Sequence, residues 1–303
     1  MKVLLGPSSF AALDKTPLLR LIEAGFEVIE NPYKRKLTKQ ELMELLPGVT
    51  GLIAGLETID REVLEKSDLK VISRCGSGIS NVDLKAAKDS GIKVYTTPDA
   101  PVTAVAELTV GSMLCLLRSV SLTDNDLHQG RWSKRIGLQL QGKTVVIIGF
   151  GRIGRCVAKM LGPFNVEILV VDPNIENDHL EFKNVTILSL EDALPKADII
   201  TLHLSGNYEI LGENEFKLIK KGAFLLNAAR GGLINESVLC MALKTGHIAG
   251  AWLDCFREEP YTGELTQFPQ VILTPHVGSY TVECRSQMEM EAVGNLIQGF
   301  SVK

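Results

Sequence analysis

The 303-residue chain predicts an α/β protein made of two doubly wound parallel-sheet domains. Two series of short apolar runs alternate with helical patterns, a proline-rich break separates the series, and one apolar strand of the second series runs straight into a glycine-rich turn. Repeated βα units bury parallel strands between helices on both faces of a sheet. A chain of this length with 45% hydrophobic residues also exceeds the size at which one core usually keeps growing.

In the first series the apolar runs fall at Val3–Leu5, Val28–Ile29, Gly51–Ala54, Leu69–Ser73 and Ile92–Tyr95, which are strand candidates. Between them, helical spacing covers Pro17–Ala24, Lys39–Leu46, Arg61–Lys66 and Val82–Asp89. Gly25 and Gly91 stop the first and last of these helices, and Thr38 and Asp60 suit the N-caps of the middle two. Thr97-Pro98-Asp99-Ala100-Pro101 then breaks the pattern, and helical stretches follow at Val102–Ser119 and Leu122–His128. The second series places strands at Lys143–Gly149, Glu167–Val171, Val185–Leu188, Ile199–Leu202, Ala223–Asn227, Ile248–Trp252 and Val271–Thr274, the extent of a complete dinucleotide-binding domain. Val282–Phe300 reads as a closing helix.

Composition narrows the partners. A formal net charge of -4, with no block of Lys or Arg, leaves no electrostatic footprint for nucleic acid. The short apolar run Val3–Leu5 ends at Gly6-Pro7, far short of a signal peptide, and no stretch approaches the roughly 18 apolar residues of a membrane helix. The expectation is a soluble, cytoplasmic protein. Cys75, Cys115, Cys156, Cys240, Cys255 and Cys284 form no Cys-x-x-Cys pair, so they predict buried free thiols in a reducing compartment, neither a metal site nor a dithiol redox site. Nothing in the sequence pairs Cys75 or Cys255 with a base.

Val145-Val146-Ile147-Ile148 leads directly into Gly149-Phe150-Gly151-Arg152-Ile153-Gly154, with helical spacing continuing over Arg155–Leu161. This is G-x-G-x-x-G between a strand and a helix, the context in which the motif marks a Rossmann dinucleotide site. Gly149 permits the tight turn, Gly151 lets the backbone approach a pyrophosphate, and Gly154 lets helix and strand pack closely. Asp172 ends the next strand about twenty residues on, where a carboxylate accepts from ribose hydroxyls and repels the 2′-phosphate of NADP. NAD is therefore the predicted cofactor. FAD shares the fingerprint, but its motifs usually open a chain, whereas this one is central.

Three polar groups follow later strands. Arg230 stands beyond Leu225-Leu226-Asn227-Ala228-Ala229, at the carboxyl edge where open α/β sheets bind ligands, and its planar charged fork suits a carboxylate. Glu259 lies in Asp254-Cys255-Phe256-Arg257-Glu258-Glu259-Pro260, and His276 in Leu273-Thr274-Pro275-His276-Val277-Gly278. A histidine held by a carboxylate has the acid–base range that hydride transfer to a ketone needs, because a proton must reach oxygen as hydride reaches carbon. His128, His179, His203 and His247 lack such flanks and read as satisfied structural histidines.

Together these segments resemble the D-isomer-specific 2-hydroxyacid dehydrogenases, as do Arg74-Cys75-Gly76-Ser77-Gly78-Ile79-Ser80-Asn81-Val82-Asp83 and Ala104-Val105-Ala106-Glu107-Leu108-Thr109, so that the likeness covers nearly the whole chain. The resemblance implies a flavodoxin-like substrate domain, residues 1–97 with 278–303, and a Rossmann NAD domain, residues 98–277, with substrate in the cleft between them. It implies Arg230 on the substrate carboxylate and C2 oxygen, His276 as proton donor or acceptor oriented by Glu259, and Ser77 and Gly78 completing the carboxylate site. It also places Gly149, Gly151, Arg152, Ile153, Gly154 and Asp172 on NAD, with Asp254, Gly278, His276 and Ala228–Arg230 toward the nicotinamide and His203 and Leu204 toward the adenine. A homodimer through the NAD domains is implied as well.

Thr97–Pro101 and Gly130-Arg131-Trp132-Ser133-Lys134 look like the 3-phosphoglycerate dehydrogenase-like branch, in which Lys134 can meet a substrate phosphate across the dimer. Against a phosphate, Ile53-Ala54-Gly55-Leu56-Glu57 lacks the branch's usual Arg and adds a carboxylate. The chain ends soon after its last helix, so the branch's C-terminal serine-sensing domain is expected to be absent. Glyoxylate, hydroxypyruvate or a branched 2-oxo acid are the other substrates weighed. A formate or phosphite dehydrogenase on the same scaffold, and a non-catalytic NAD-sensing binding protein, are the remaining readings; retention of Arg230, Glu259 and His276 argues against the latter.

Overall fold

The computed structural model describes residues 1–175, 182, 184–206 and 208–301. The chain divides into two compact units, Met1–Pro101 with Ser279–Lys303, and Val102–Gly278.

The first unit has five parallel strands: β1 Lys2–Leu5, β2 Glu27–Glu30, β3 Val49–Ala54, β4 Val71–Arg74 and β5 Lys93–Thr96, in the order β2-β1-β3-β4-β5. That is the flavodoxin-like order. Alternation along the strands sends successive side chains to opposite faces. Leu4, Leu52 and Ile72 point to one core, covered by α2 (Lys39–Leu45), α3 (Arg61–Glu65) and α4 (Leu84–Asp89) through Leu42, Val63 and Ala86. Val3, Leu5, Ile53 and Val71 point to the other, covered by α1 (Thr16–Glu23) through Leu21 and by the closing helix through Met288, Val293 and Leu296.

Local chemistry sets the helix ends. Thr38 and Glu41 form a reciprocal capping box at α2, and Asp60 accepts from the Val63 N–H at α3. Helix α4 starts two residues later than its apolar spacing predicts, because Asp83 takes the cap and accepts from the Ala86 N–H at 2.8 Å.

The second unit has seven parallel strands: β6 Thr144–Ile148, β7 Glu167–Val171, β8 Val185–Ile187, β9 Ile199–Leu202, β10 Ala223–Asn227, β11 Ile248–Leu253 and β12 Val271–Leu273. Their order is β12-β11-β10-β9-β6-β7-β8, so the winding reverses between β6 and β9, the place where doubly wound sheets bind ligands. One face packs on α5 (Val102–Leu117) and α7 (Arg152–Leu161) through Met113, Leu116, Val157 and Leu161. The other packs on α8 (Leu190–Ala193), α9 (Glu213–Leu218) and α10 (Glu236–Lys244) through Ala193, Phe216 and Leu239. The predicted Val102–Ser119 and Leu122–His128 helices meet differently: Ser119 takes a left-handed φ of 49°, which ends α5 at Leu117 and lets α6 (Val120–His128) start early. No single helix among the described residues is long and apolar enough to cross a membrane.

The closing helix α11 (Val282–Ser301) belongs to the first unit. A Cβ added to its Gly299 would come within 2.6 Å of Val71 and 2.9 Å of Tyr95, whereas one added to Gly294 meets nothing within 4 Å. Gly299→Ala is therefore expected to destabilise the unit by about 1–3 kcal/mol, and Gly294→Ala to stabilise it by about 0.5–1 kcal/mol through helix propensity. Urea midpoints check the pair, and a shift of the same sign in both variants would contradict the packing of α11 on β4 and β5.

Candidate active site

Because all seven strands of the second unit run parallel, the segments that follow them gather along one edge of the sheet. After β6, Gly149 turns the chain at φ 91°, and a Cβ there would lie 2.8 Å from the His203 carbonyl. A Cβ on Gly154 would lie 2.3 Å from the Gly149 carbonyl oxygen, so α7 packs against the turn only because that residue is glycine. Gly151 is the N-cap of α7 and offers no side-chain cap, and a Cβ on it would point into open space. The first amides of α7, from Arg152 and Ile153 onward, are thus presented to an anion without a competing side chain at the cap.

Asp172 follows β7 and ties this turn to the next. Its Oδ2 accepts from the Phe150 N–H at 2.8 Å and its Oδ1 from the Asn174 N–H at 2.9 Å. A carboxylate has about four lone-pair positions, so this one retains acceptor capacity for hydroxyls. His203, after β9, hydrogen-bonds Thr201 Oγ1 through Nε2 at 2.9 Å, while its buried Nδ1 meets no partner among the described residues. The expectation of a satisfied structural histidine fails here. Burial alone pulls its pKa down to about 4, so the ring is neutral at physiological pH. An uncapped helix N-terminus, a glycine cradle, an available carboxylate and an orphaned ring nitrogen fit a dinucleotide.

Arg230 follows β10. Asn227, wholly buried, folds the segment by accepting from the Ala229 N–H at 3.0 Å and donating to the Arg230 carbonyl at 2.8 Å. Ala228 is half-buried and Ala229 buried. The Arg230 guanidinium donates through Nη1 to the Ala229 carbonyl at 2.5 Å, and among the described residues no carboxylate forms an ion pair with it. A Cβ on Gly231 would sit 1.9 Å from the Phe256 carbonyl carbon, so this glycine lets the segments after β10 and β11 lie against each other.

The segment after β11 carries Asp254, Cys255 and Glu259. Asp254 is 1% exposed, and its carboxylate accepts from Thr274 Oγ1 at 2.6 Å, the Val277 N–H at 2.8 Å and the Gly278 N–H at 2.7 Å. It thereby pins the segment after β12 that holds His276, whose φ of 55° is left-handed. His276 Nδ1 lies 3.0 Å from Glu259 Oε2 and 3.1 Å from Oε1, and Glu259 Oε1 also accepts from the Phe256 N–H. The Cys255 sulfur and the Glu259 carboxylate push the imidazole pKa up to about 10 against the opposing effect of burial. The group can hold a proton and hand it on.

Cys255 is where the reading of the sequence falls short. Its sulfur lies with a Glu259 oxygen and a His276 ring nitrogen in one cluster, all three within 4.8 Å of one another. The signal available was its place four residues before Glu259 in the same short loop. The remaining candidates lie elsewhere. His247 Nε2 is 3.0 Å from the Phe216 carbonyl oxygen, His128 is an exposed neighbour of Asp124, and His179 lies outside the described residues. Lys134 is exposed in the irregular stretch 131–139. Leu204 is half-buried beside the glycine turn. In the first unit, Ser77 and Gly78 follow β4 next to Gly76, whose N–H donates to Thr97 Oγ1 at 2.7 Å. Glu57 is 1% exposed after β3, where its carboxylate accepts from the Gly55 N–H at 2.8 Å and burial raises its pKa.

Comparison with known proteins bears on this arrangement. The profile described as "D-isomer specific 2-hydroxyacid dehydrogenase, NAD binding domain" matches residues 110–278. The D-3-phosphoglycerate dehydrogenase of Methanocaldococcus jannaschii is 40% identical over 268 residues, covering 86% of this chain and 51% of that protein. The chain thus spans about half the length of that curated relative. The glyoxylate reductase of Pyrococcus horikoshii is 35% identical over 294 residues, covering 92% of this chain and 88% of that protein. A solved structure from Thermus thermophilus superposes with a TM-score of 0.90 at 34% identity, covering 99% of this chain and 97% of the other.

Replacing Asp254 by Ala leaves three donors of the largely half-buried 274–278 segment without their acceptor. Each costs about 1–3 kcal/mol when it stays buried and unpaired, so Asp254→Ala is expected to lower the denaturation midpoint strongly. A midpoint equal to that of the unaltered protein would show that the 274–278 segment is held by something else.

Proposed function

The chain belongs to the D-isomer-specific 2-hydroxyacid dehydrogenases, and we propose that it interconverts a D-2-hydroxy acid and its 2-oxo acid by hydride transfer with NAD. The observation that carries the reading is the His276–Glu259 pair standing on the same sheet edge as Arg230 and the Gly149–Gly154 turn. NAD supplies the hydride acceptor, and as NADH the donor, when bound. The residues that would hold it are Gly149–Gly154 at the pyrophosphate, Asp172 at the adenosine ribose, His203 and Leu204 on the adenine side, and Ala228–Arg230, Asp254, His276 and Gly278 on the nicotinamide side.

The chain's own residues supply the rest of the chemistry. Glu259 holds Nδ1 of His276, which leaves Nε2 to exchange a proton with the substrate C2 oxygen. Arg230 presents its remaining N–H donors to the substrate carboxylate and polarises that oxygen. Asp254 keeps the His276 segment in place and thereby preserves the proton path. The exposed Val120, Leu127, Trp132, Ile136 and Leu138 of the second unit support a homodimer through that unit, and six free cysteines support a reducing, cytoplasmic setting. A phosphorylated hydroxy acid with Lys134 on its phosphate follows the phosphoglycerate dehydrogenase likeness; the likeness to a glyoxylate reductase favours a smaller, unphosphorylated acid such as glyoxylate or hydroxypyruvate. NADH oxidation with a panel of 2-oxo acids decides between them.

Asp172 predicts a preference for NADH over NADPH of at least about tenfold in kcat/KM, on the order of 1.4 kcal/mol, since a 2′-phosphate would meet its charge. Asp172→Ser is expected to narrow that ratio, and equal or better use of NADPH by the unaltered protein would overturn the assignment.

His276 must be protonated to reduce a ketone and neutral to accept a proton in oxidation. With its pKa raised to about 10, reduction is expected to persist through neutral pH and fall as pH rises through that value, whereas oxidation gains over the same interval. Glu259→Gln removes a cause of the raised pKa and is expected to move the reductive limb to lower pH. His276→Ala is expected to cost roughly 10²–10⁴-fold in turnover with a far smaller loss of NADH affinity, while Arg230→Ala harms both substrate affinity and turnover. Full activity in His276→Ala would sink the mechanism.

A further inference from the structure

A His–Glu proton pair requires no sulfur, yet the Cys255 Sγ lies within 4.8 Å of both the ring nitrogen and the carboxylate oxygen that serve it. Among the described residues no other three His, Cys, Asp or Glu side chains gather as closely. We infer that Cys255, Glu259 and His276 form a binding site for a thiophilic divalent cation, zinc foremost, whose occupancy silences the acid–base pair. The silencing rests on the role proposed for His276; the binding does not.

The donor set is the first argument. One thiolate, one imidazole and one carboxylate are the ligand types of zinc, and they leave a fourth tetrahedral position for water or a substrate oxygen. Sulfur selects against magnesium and calcium, which take oxygen ligands. Two anionic donors and a neutral ring also balance the charge of a divalent ion. Binding is a ligand exchange without redox change: the thiol and the imidazolium each release a proton to solvent as the metal bonds form.

Placement is the second argument. Zinc bonds of about 2.0–2.3 Å put tetrahedral donors about 3.4–3.6 Å apart, so the cluster must close by roughly 1 Å at its widest. The His276–Glu259 edge is already at 3.0 Å. All three residues are held by their surroundings: Cys255 adjoins the buried Asp254 and its Sγ lies 3.6 Å from the Ala229 carbonyl oxygen, Glu259 is tied to the Phe256 N–H, and His276 rides on the segment that Asp254 pins. Histidine and glutamate are each about a third exposed, which gives an ion a way in.

Metal-stripped protein titrated with zinc against a chromophoric indicator is expected to bind one equivalent per chain. Cobalt in place of zinc is expected to give a thiolate-to-metal charge-transfer absorption. Cys255→Ser, which keeps the volume, and Cys255→Val, which keeps the apolar packing, should each lose that absorption and bind zinc at least about tenfold more weakly, as should His276→Ala. Unchanged zinc affinity in both Cys255 variants, or an unchanged cobalt absorption, would overturn the site. NADH oxidation followed in parallel should fall with zinc occupancy and return on chelation. One equivalent bound through Cys255 with turnover unaffected would overturn the silencing and the role of His276 while leaving the metal site intact.

Discussion

The constraint on which the second unit depends is that seven parallel strands end on one edge. A parallel sheet must be covered on both faces by crossover helices, so each strand releases its following segment at the same side. Reversal of the winding between β6 and β9 opens that edge where the glycine turn stands. The residues proposed for the dinucleotide follow β6, β7 and β9, and those proposed to react follow β10, β11 and β12. The two proposed sets thus share one edge through topology, although they lie far apart in sequence.

Topology brings the segments together, and two close contacts fix their geometry. Asp254 gives both carboxylate oxygens to the segment after β12, and Gly231 lets the segment after β10 lie on the one after β11. The three segments form a chain of dependence in which Asn227 shapes the Arg230 turn, that turn abuts Phe256, and Phe256 donates its N–H to Glu259. Each link is a buried or part-buried hydrogen bond or a backbone approach, and such contacts hold angles more tightly than exposed ion pairs do.

The fold was readable because strand and helix periods differ and because caps are local. Thr38 and Asp60 cap the helices that their types announce, and the apolar run Val145–Ile148 lies within β6. Asp83 and Ser119 were missed, since an apolar spacing continues across Val82 and Ser119 while a side-chain cap in one case and a left-handed backbone in the other stop the helix. In the site, Gly149, Asp172, Arg230, Glu259 and His276 stand out because each breaks an apolar pattern at a strand end. Cys255 does not break the pattern: a cysteine beside a buried strand passes for a small apolar residue. The close approach at Gly231 was equally silent, because it depends on a segment more than twenty residues away.

Two histidines show why residue type alone assigns no role. His203 and His276 both follow strands on the same edge, and their surroundings drive their protonation in opposite directions. His203 is half-buried, with one nitrogen on a threonine hydroxyl and the other buried without a partner among the described residues, so burial disfavours the charged form and the pKa falls to about 4. His276 keeps a third of its side chain in solvent and faces Cys255 and Glu259, so the charged form is favoured and the pKa rises to about 10. At neutral pH the first ring is uncharged, and the second is charged and suited to the proton-carrying role proposed for it. An acid–base group and a passive neighbour on one sheet edge can therefore be the same amino acid, because the charge each carries is set by what it faces.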